Sequence, residues 1–247
     1  MPDADDRLPQ TFRLLIVPGV TMDKWSRVWS ERLPRVDLRL LPTEHDQLAP
    51  LLAGDADAGL VRLPVDQDTF HAIPLYTEAT VVVLPRDHEL AESPELTLAD
   101  LAGQKLTQPA DDVLDWTGAS AAPAVEHRPA TVAAAVEYVA ASVGVLVVPQ
   151  SLARLHNRRD ITYRVVTDAP QSTVALVWRR DEQTDLVEEM IGIVRGRTAN
   201  STRGRTQPQA PAAEPAKRSG EPGRRSAEPA RRAGARRGGT GAARRKR

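Results

Sequence analysis

The clearest periodic pattern of apolar residues in this sequence lies between positions 131 and 155, TVAAAVEYVAASVGVLVVPQSLARL. Its valines at 132, 136, 139 and 143 recur at the spacing of one helical face, which predicts a helix that begins at Thr131. The unbroken apolar run 145–148 predicts a strand buried on both faces. A second helix is expected to start at Ser151, so the segment forms an α-β-α unit typical of layered α/β folds.

Two residues are expected to define the ends of the first of these helices. The Thr131 hydroxyl can cap the N-terminus, and Gly144 suits the left-handed residue that follows a last helical turn. The free N–H groups and partial positive charge at such an N-terminus suit a carboxylate or similar anion. The alternative is that this helix only packs against the sheet.

Shorter patterns assign elements to the rest of the first 197 residues. Apolar or alternating runs predict strands at 12–17, 36–41, 58–63, 70–76, 78–84, 104–108, 125–128, 161–166 and 172–178. Amphipathic spacing and capping residues predict helices at 22–33, 44–53, 98–101, 111–116 and 184–195.

The order of these elements indicates how they are arranged. The first three strands alternate with helices, which is the order of parallel strands joined by right-handed crossovers. The strands near 78–84 and 172–178 can each run from one lobe to another. The expected fold class is therefore α/β, with two lobes joined by two crossover strands and a cleft between them that suits a ligand.

The domain bounds follow from the same pattern. A polar N-terminal extension is expected at 1–11, and a tail at 198–247. The domain between them, 12–197, is expected to consist of lobe I, at about 12–79 and 172–197, and lobe II, at about 84–168.

Composition limits the class of protein. Hydrophobic residues make up 41% of the 247 residues and aromatic residues only 4%, so a core of mainly Val, Leu and Ala is expected. The absence of Cys excludes disulfides, thiol nucleophiles and cysteine-based metal sites. No apolar run reaches the roughly 18 residues of a membrane span, and the polar N-terminus MPDADDRLPQ is unlike a signal peptide. A cytoplasmic protein that does not associate with membranes is expected.

The residues offer no catalytic constellation. None of the five histidines has metal-ligand spacing, and no nucleophile elbow, P-loop or dinucleotide fingerprint is present. Asp111, Asp112 and Asp115 form an acidic cluster, for which a solvated helix start is favoured over acid–base chemistry. We therefore expect no enzymatic activity, no cofactor and no metal site, with an enzyme on the same scaffold as the alternative.

The net charge of zero conceals a division of the chain. Residues 201–247 contain 14 Lys and Arg and 3 Glu, which gives this segment a net charge of +11. Of the 33 basic and 33 acidic residues in the whole chain, 19 basic and 30 acidic ones lie in residues 1–200, which therefore have a net charge of −11. Residues 214–234 repeat a heptad three times, as EPAKRSG, EPGRRSA and EPARRAG. Because proline in every copy excludes a coiled coil, a disordered tail is expected.

The charge of this tail suits nonspecific binding of DNA or RNA through phosphates. Docking to an acidic surface, including that of the same chain, and a passive solubilising role are the alternatives. The basic residues concerned are Arg203, Arg205, Lys217, Arg218, Arg224, Arg225, Arg231, Arg232, Arg236, Arg237, Arg244, Arg245, Lys246 and Arg247.

Four segments resemble a known family. In order and spacing, LLAGDADAGLVRLP, IPLYTEATVVVLPRDHELA, LTLADLAGQKL and VEYVAASVGVLVVPQSLARL resemble the effector-binding domain of LysR-type transcriptional regulators over about 12–195. The resemblance implies a fold like the type 2 periplasmic binding proteins, with a small-molecule cleft between two lobes. It also makes a homodimer plausible. Those regulators carry a winged helix-turn-helix before this domain, whereas 11 residues precede Phe12 here, so ligand binding is implied more firmly than operator recognition.

The resemblance also implies which residues bind a small, anionic effector. They lie in the loop after the first strand, at the helix after the second strand, at a strand end and helix start of lobe II, and on the pocket floor. These are Gly19, Val20, Thr21, His45, Gln108, Thr131, Val148 and Pro149. Arg62 lies at the expected cleft rim, where it can pair with the ligand or form a salt bridge to Asp57, Asp66 or Asp68. The alternative function is a small-molecule binding module without a role at DNA.

Overall fold

The computed structural model describes residues 10–43, 46–119 and 124–196. The strands found there are β1 Gln10–Ile16, β2 Val36–Pro42, β3 Ala58–Arg62, β4 Phe70–Glu78, β5 Thr80–Pro85, β6 Glu95–Leu96, β7 Leu106–Thr107, β8 Val125–His127, β9 Leu146–Pro149, β10 Ile161–Val166 and β11 Ser172–Arg179. The helices are α1 Asp23–Arg32, α2 Ala49–Leu52, α3 Val132–Ala140, α4 Gln150–Leu155 and α5 Asp185–Val194, with 3-10 turns at Glu89–Glu92 and Ala99–Leu101.

The first lobe is built on a five-stranded sheet in the order β2-β1-β3-β11-β4. Strand β1 pairs parallel to β2 and β3, as the alternation of strands and helices predicts, while β11 pairs antiparallel to β3 and β4. Its buried core includes Trp29 of α1, which stacks on Phe12 of β1 with ring centroids 4.8 Å apart. Burial of two large aromatic rings stabilises the contact between helix and sheet.

The second lobe is built on a four-stranded sheet in the order β6-β10-β5-β9. Its central strand β5 and its edge strand β9 are buried along their whole length, as the unbroken apolar runs predict. Residues Val132, Val136 and Val139 of α3 are buried against this sheet, whereas Val143 is 38% exposed and lies outside the apolar face assigned to it.

The chain passes between the lobes twice, once between β4 and β5 and once between β10 and β11. The two passages touch, because the Thr80 hydroxyl donates a hydrogen bond of 2.5 Å to the carbonyl of Pro170. The expected pair of crossover strands is therefore confirmed. The domain bounds at both ends stay a prediction, since residues 1–9 and the tail from 197 lie outside the described residues.

The helix expected at 111–116 is wrong, and the Asp112 side chain explains why. Its Oδ1 accepts from the Leu114 N–H at 3.0 Å, and its Oδ2 accepts from Gln108 Nε2 and Trp116 Nε1, each at 2.8 Å. An aspartate that binds nearby donors in this way offers the backbone an alternative to helical hydrogen bonds. The helix expected at 44–53 is shortened to α2, with positions 44 and 45 outside the described residues.

The expected roles of Gly144 and Ser151 are also wrong. The left-handed residue after α3 is Ser142, with φ of 56°. Gly144 instead permits a close contact, because a Cβ there would lie 2.5 Å from the carbonyl oxygen of Lys105. Helix α4 begins at Gln150, so Ser151 lies inside the helix rather than at its cap.

Candidate functional site

A cavity of about 420 Å³ lies between the two lobes, and we call it the first cavity. Its first-lobe walls come from the ends of β1, β2 and β3, and its second-lobe walls from the loop after β7 and from α3 and α4. The lining residues are Val17, Pro18, Thr43, Asp46, Gln47, Arg62, Asp111, Val113, Thr131, Val132, Ala133, Leu152, Leu155 and His156. Such a concave site, with apolar walls and a few polar groups, suits a small molecule.

Arg62 is the cationic side chain at the centre of this arrangement and is only 3% exposed. Its Nε donates to Glu78 Oε2 at 3.1 Å, and its Nη2 donates to the Pro18 carbonyl at 3.0 Å and to Ser151 Oγ at 3.1 Å. The Arg62 backbone N–H donates to Gln47 Oε1 at 2.9 Å, and Gln47 Nε2 donates to the Arg62 carbonyl at 2.8 Å. Because Arg62 is on β3 and Ser151 is on α4, this guanidinium connects the two lobes.

The partner expected for Arg62 is wrong. The ion pair is formed with Glu78, at the end of β4, and both side chains are almost fully buried. Asp57 instead pairs with Arg13, through Oδ1 and Nη2 at 2.6 Å. No hydrogen bond from Arg62 Nη1 is found in the described part of the chain, and Arg62 lines the first cavity.

The N-terminus of α3 forms the opposite wall. The Thr131 hydroxyl accepts from the Ala134 N–H at 3.2 Å, so Thr131 caps the helix as expected. Val132 and Ala133, the first two residues of α3, line the cavity. Their N–H groups precede the first intrahelical hydrogen bonds. The Val132 N–H interacts with the Asp111 carboxyl, so the Ala133 N–H is the donor left for an acceptor in the cavity.

Asp111 is an acidic residue beside this helix start. Its Oδ1 is shielded from solvent and has no hydrogen-bond partner among the described residues. Burial raises the pKa of the Asp111 carboxyl above the ordinary value, and the charge of Asp112 adds to this rise, while the backbone N–H groups of Asp111 and Val132 and the nearby His156 oppose it. Burial disfavours the charged form, so Asp111 takes up a proton more readily than a solvated aspartate.

A second cavity, of about 560 Å³, is lined by Gly19, Val20, Thr21, Tyr76, Thr77, Glu78, Ala79, Gln150, Ser151, Arg154 and Leu155. The Arg62–Glu78 ion pair stands between the two cavities, because Arg62 lines the first and Glu78 lines the second. Leu155 lines both.

The structure distributes the predicted ligand-binding residues over different places. Arg62 and Thr131 line the first cavity, and the loop residues Gly19, Val20 and Thr21 line the second. Thr21 and Thr131 therefore do not face one cavity.

The remaining predicted residues line neither cavity or lie outside the description. Val148 and Pro149 are buried in β9, and the Gln108 amide is bonded to Asp112. His45 lies outside the described residues. The sequence pattern missed Gln47 and Glu78, because their signal is a position in a loop or at the end of a strand rather than a motif. It assigned Asp111 to a solvated acidic cluster and not to a ligand site.

Among the described residues, no group of three or more His, Asp or Glu side chains is arranged to hold a metal ion. None of the helices in this part of the chain combines the length and the apolar character that crossing a membrane requires.

Two lobes, two crossovers and an interlobe cavity define a type 2 periplasmic-binding-protein-like fold. The structure is similar to the BenM effector binding domain with its effector benzoate, with a TM-score of 0.65 and 19% identity over 82% of this chain and 97% of that one. It is also similar to the oxidized form of OxyR, with a TM-score of 0.61 and 23% identity over 76% of this chain and 94% of that one. At these identities the likeness establishes the fold.

The family is established by sequence. Residues 17–199 match the family model described as LysR substrate binding domain, and the chain belongs to this family. It is 33% identical to a probable hydrogen peroxide-inducible genes activator of Mycobacterium avium, over 76% of this chain and 66% of that protein. It is 26% identical to the Hca operon transcriptional activator HcaR of Escherichia coli, over 66% of this chain and 57% of that protein. The chain thus spans 66% and 57% of the length of these two regulators.

Proposed function

We propose that this chain binds a small anionic metabolite in the first cavity and takes part in the regulation of transcription. The observation that carries this proposal is that Arg62, whose Nη1 has no hydrogen-bond partner among the described residues, lines the interlobe cavity together with the start of α3. A guanidinium and a helix N-terminus are both favourable partners for a carboxylate. The apolar residues on the same walls, such as Val17, Val113 and Leu152, suit a ligand with an apolar body.

The relatives support the regulatory part of the proposal. HcaR is a transcriptional activator, and BenM has an effector, benzoate. We infer that residues 12–197 form a domain of the same kind, whose ligand changes the relation between its two lobes.

The ligand proposal predicts binding of small carboxylates at α3. We expect at least one of acetate, 4-methylpentanoate and benzoate to shift the amide resonances of Thr131 and Val132 in the 15N-labelled full-length protein. Ala133→Phe should abolish these shifts because the ring fills the cavity, whereas Ala141→Phe, exposed at the other end of α3, should leave them unchanged. The proposal fails if no carboxylate binds, or if Ala133→Phe binds as well as the parent.

Asp111 adds a dependence on pH to the same prediction. Its raised pKa means that a proton is taken up as the pH falls towards the acidic range, which removes a negative charge beside the ligand. Affinity for a carboxylate should therefore increase as the pH falls through the acidic range towards the raised pKa of Asp111. Asp111→Asn should increase affinity at pH 7 by about tenfold, equivalent to about 1.4 kcal/mol, and abolish the pH dependence. Asp115→Asn is the matched control, because Asp115 lies outside the cavity.

We further propose that the basic tail binds nucleic acid without reading its sequence. The support is its net charge of +11 over residues 201–247 and the absence of aromatic residues there, which disfavours stacking on bases.

The tail proposal predicts salt-dependent binding that requires residues 198–247. In fluorescence anisotropy, the full-length protein should bind a generic DNA duplex and a generic RNA duplex, and a 1–197 truncation should not. Affinity of the full-length protein should fall at least about tenfold between 50 and 200 mM salt. A tail with every Lys and Arg replaced by Gln is the control for length. Binding by the truncation would refute the role of the tail, and binding by neither protein would favour a ligand-binding module without a role at DNA.

A further inference from the structure

The second cavity has its own polar groups, separate from those of the first. Its walls come from the loop after β1, from the end of β4 and from one face of α4. The first and second cavities share only the Leu155 side chain among their lining residues. A ligand in the second cavity would therefore meet different chemistry.

Glu78 provides a buried acceptor on this wall. The residue is 7% exposed, and its Oε2 is occupied by the Arg62 Nε at 3.1 Å. No hydrogen bond to its Oε1 is found among the described residues, although Glu78 lines the cavity. A carboxylate oxygen can accept more than one hydrogen bond, so Oε1 is available to a donor such as an ammonium group.

Tyr76 lies on the same strand and lines the same cavity. Burial raises the pKa of its phenol, the charge of Glu78 raises it further, and Arg62 opposes this rise, so the phenol oxygen lies within electrostatic reach of this pair. An aromatic ring beside a carboxylate is an arrangement that favours an organic cation.

Arg154 supplies the opposite charge. It lies on α4 and lines the second cavity, and no ion pair or hydrogen bond of its side chain is found in the described part of the chain. Its charge would repel a simple amine but would attract a carboxylate. Val20, Ala79 and Leu155 complete the walls with apolar groups.

We propose that the second cavity binds an amino acid in its zwitterionic form. The ammonium group binds Glu78 Oε1 and the Tyr76 ring, the carboxylate binds Arg154, and an apolar side chain packs against Val20 and Leu155. This site is additional to the one in the first cavity, and it does not depend on the proposed function.

Three probes with the same apolar body test the proposal. They are leucine, 3-methylbutylamine, which lacks the carboxylate, and 4-methylpentanoate, which lacks the amine. In the 15N-labelled full-length protein, leucine should shift the amide resonances of Thr21, Thr77 and Ala79. The amine and the acid should each bind there at least about tenfold more weakly, because each has lost one charged partner. Equal affinities, or no shift by leucine at these amides, would overturn the proposal.

Variants of two exposed residues test the partner of the carboxylate and the location of the site without disturbing the buried ion pair. Arg154→Gln should lower the affinity for leucine about tenfold, whereas the affinity for 3-methylbutylamine should stay unchanged or increase. An equal loss for both probes would show that Arg154 does not bind the carboxylate. Ala133→Phe, which fills the first cavity, should leave leucine binding intact. Loss of leucine binding in this variant would place the ligand in the first cavity and refute the second site.

Discussion

Glu78→Ala is expected to lower the free energy of unfolding by about 3–5 kcal/mol, because it leaves the buried charge of Arg62 without its partner. Both side chains are almost fully buried, and Arg62 Nε and Glu78 Oε2 are 3.1 Å apart. The loss should appear in urea unfolding and as a fall of roughly 10 °C in Tm. Among the described residues, the other side-chain partners of Arg62 are the Pro18 carbonyl and the Ser151 hydroxyl, and neither carries a charge.

Removing both charges distinguishes this ion pair from simple loss of packing. The double variant Arg62→Met with Glu78→Leu should recover most of the stability, since apolar replacement of a buried pair is often nearly neutral. Asp160→Ala, which removes an exposed partner of Arg158, is the control and should have a far smaller effect. If the double variant were as unstable as Glu78→Ala, the uncompensated charge would not be the cause.

Gly19→Ala is expected to destabilise the protein by about 2–4 kcal/mol, from left-handed backbone strain together with overpacking. Gly19 has φ of 82°, and a Cβ there would lie 2.7 Å from Ser151 Oγ and 3.0 Å from the Ser151 carbonyl carbon. The methyl group would push the loop after β1 away from α4. Because Arg62 Nη2 reaches Ser151 Oγ across this contact, the hydrogen bond between the lobes should weaken as well.

Gly54→Ala is the matched control for this effect. Gly54 also has a left-handed backbone, with φ of 73°, but a Cβ there would meet no atom within 4 Å. In Gly54→Ala, the free energy of unfolding should fall only by the cost of the left-handed backbone, about 1 kcal/mol. Equal losses in urea unfolding for the two variants would mean that the contact with Ser151 contributes nothing.

Most of the elements could be predicted from local sequence patterns. Apolar groups lie on one face of α3 and of β2, and on both faces of β5 and β9. The spacing of these apolar residues can be recognised in each segment alone, without knowing which distant residues it contacts. The parallel pairing of β1 with β2 and β3 could also be predicted. Parallel strands need a long crossover connection, usually a helix, and the sequence shows helices between these strands.

The errors arose where a side chain forms hydrogen bonds that spacing does not encode. The segment 111–116 has the residue pattern of a helix start, but Asp112 binds Leu114, Gln108 and Trp116 instead. Gly144 looks like a helix end, but a Cβ there would lie 2.5 Å from the carbonyl oxygen of Lys105, just before β7, and this close contact explains the glycine.

The sequence by itself determined the α/β class, the two crossovers and a charged tail, because each depends on periodicity or composition along the chain. The resemblance to the LysR family rests instead on four segments in matching order. Only the tertiary structure decided that Arg62 pairs with Glu78, that Asp111 lies beside the start of α3, and that the loop at Gly19 faces a different cavity from Thr131. These facts depend on where strand ends and loops meet within a few ångströms. Local periodicity specifies which face of an element is buried, and it carries no information on which distant polar group that element will meet.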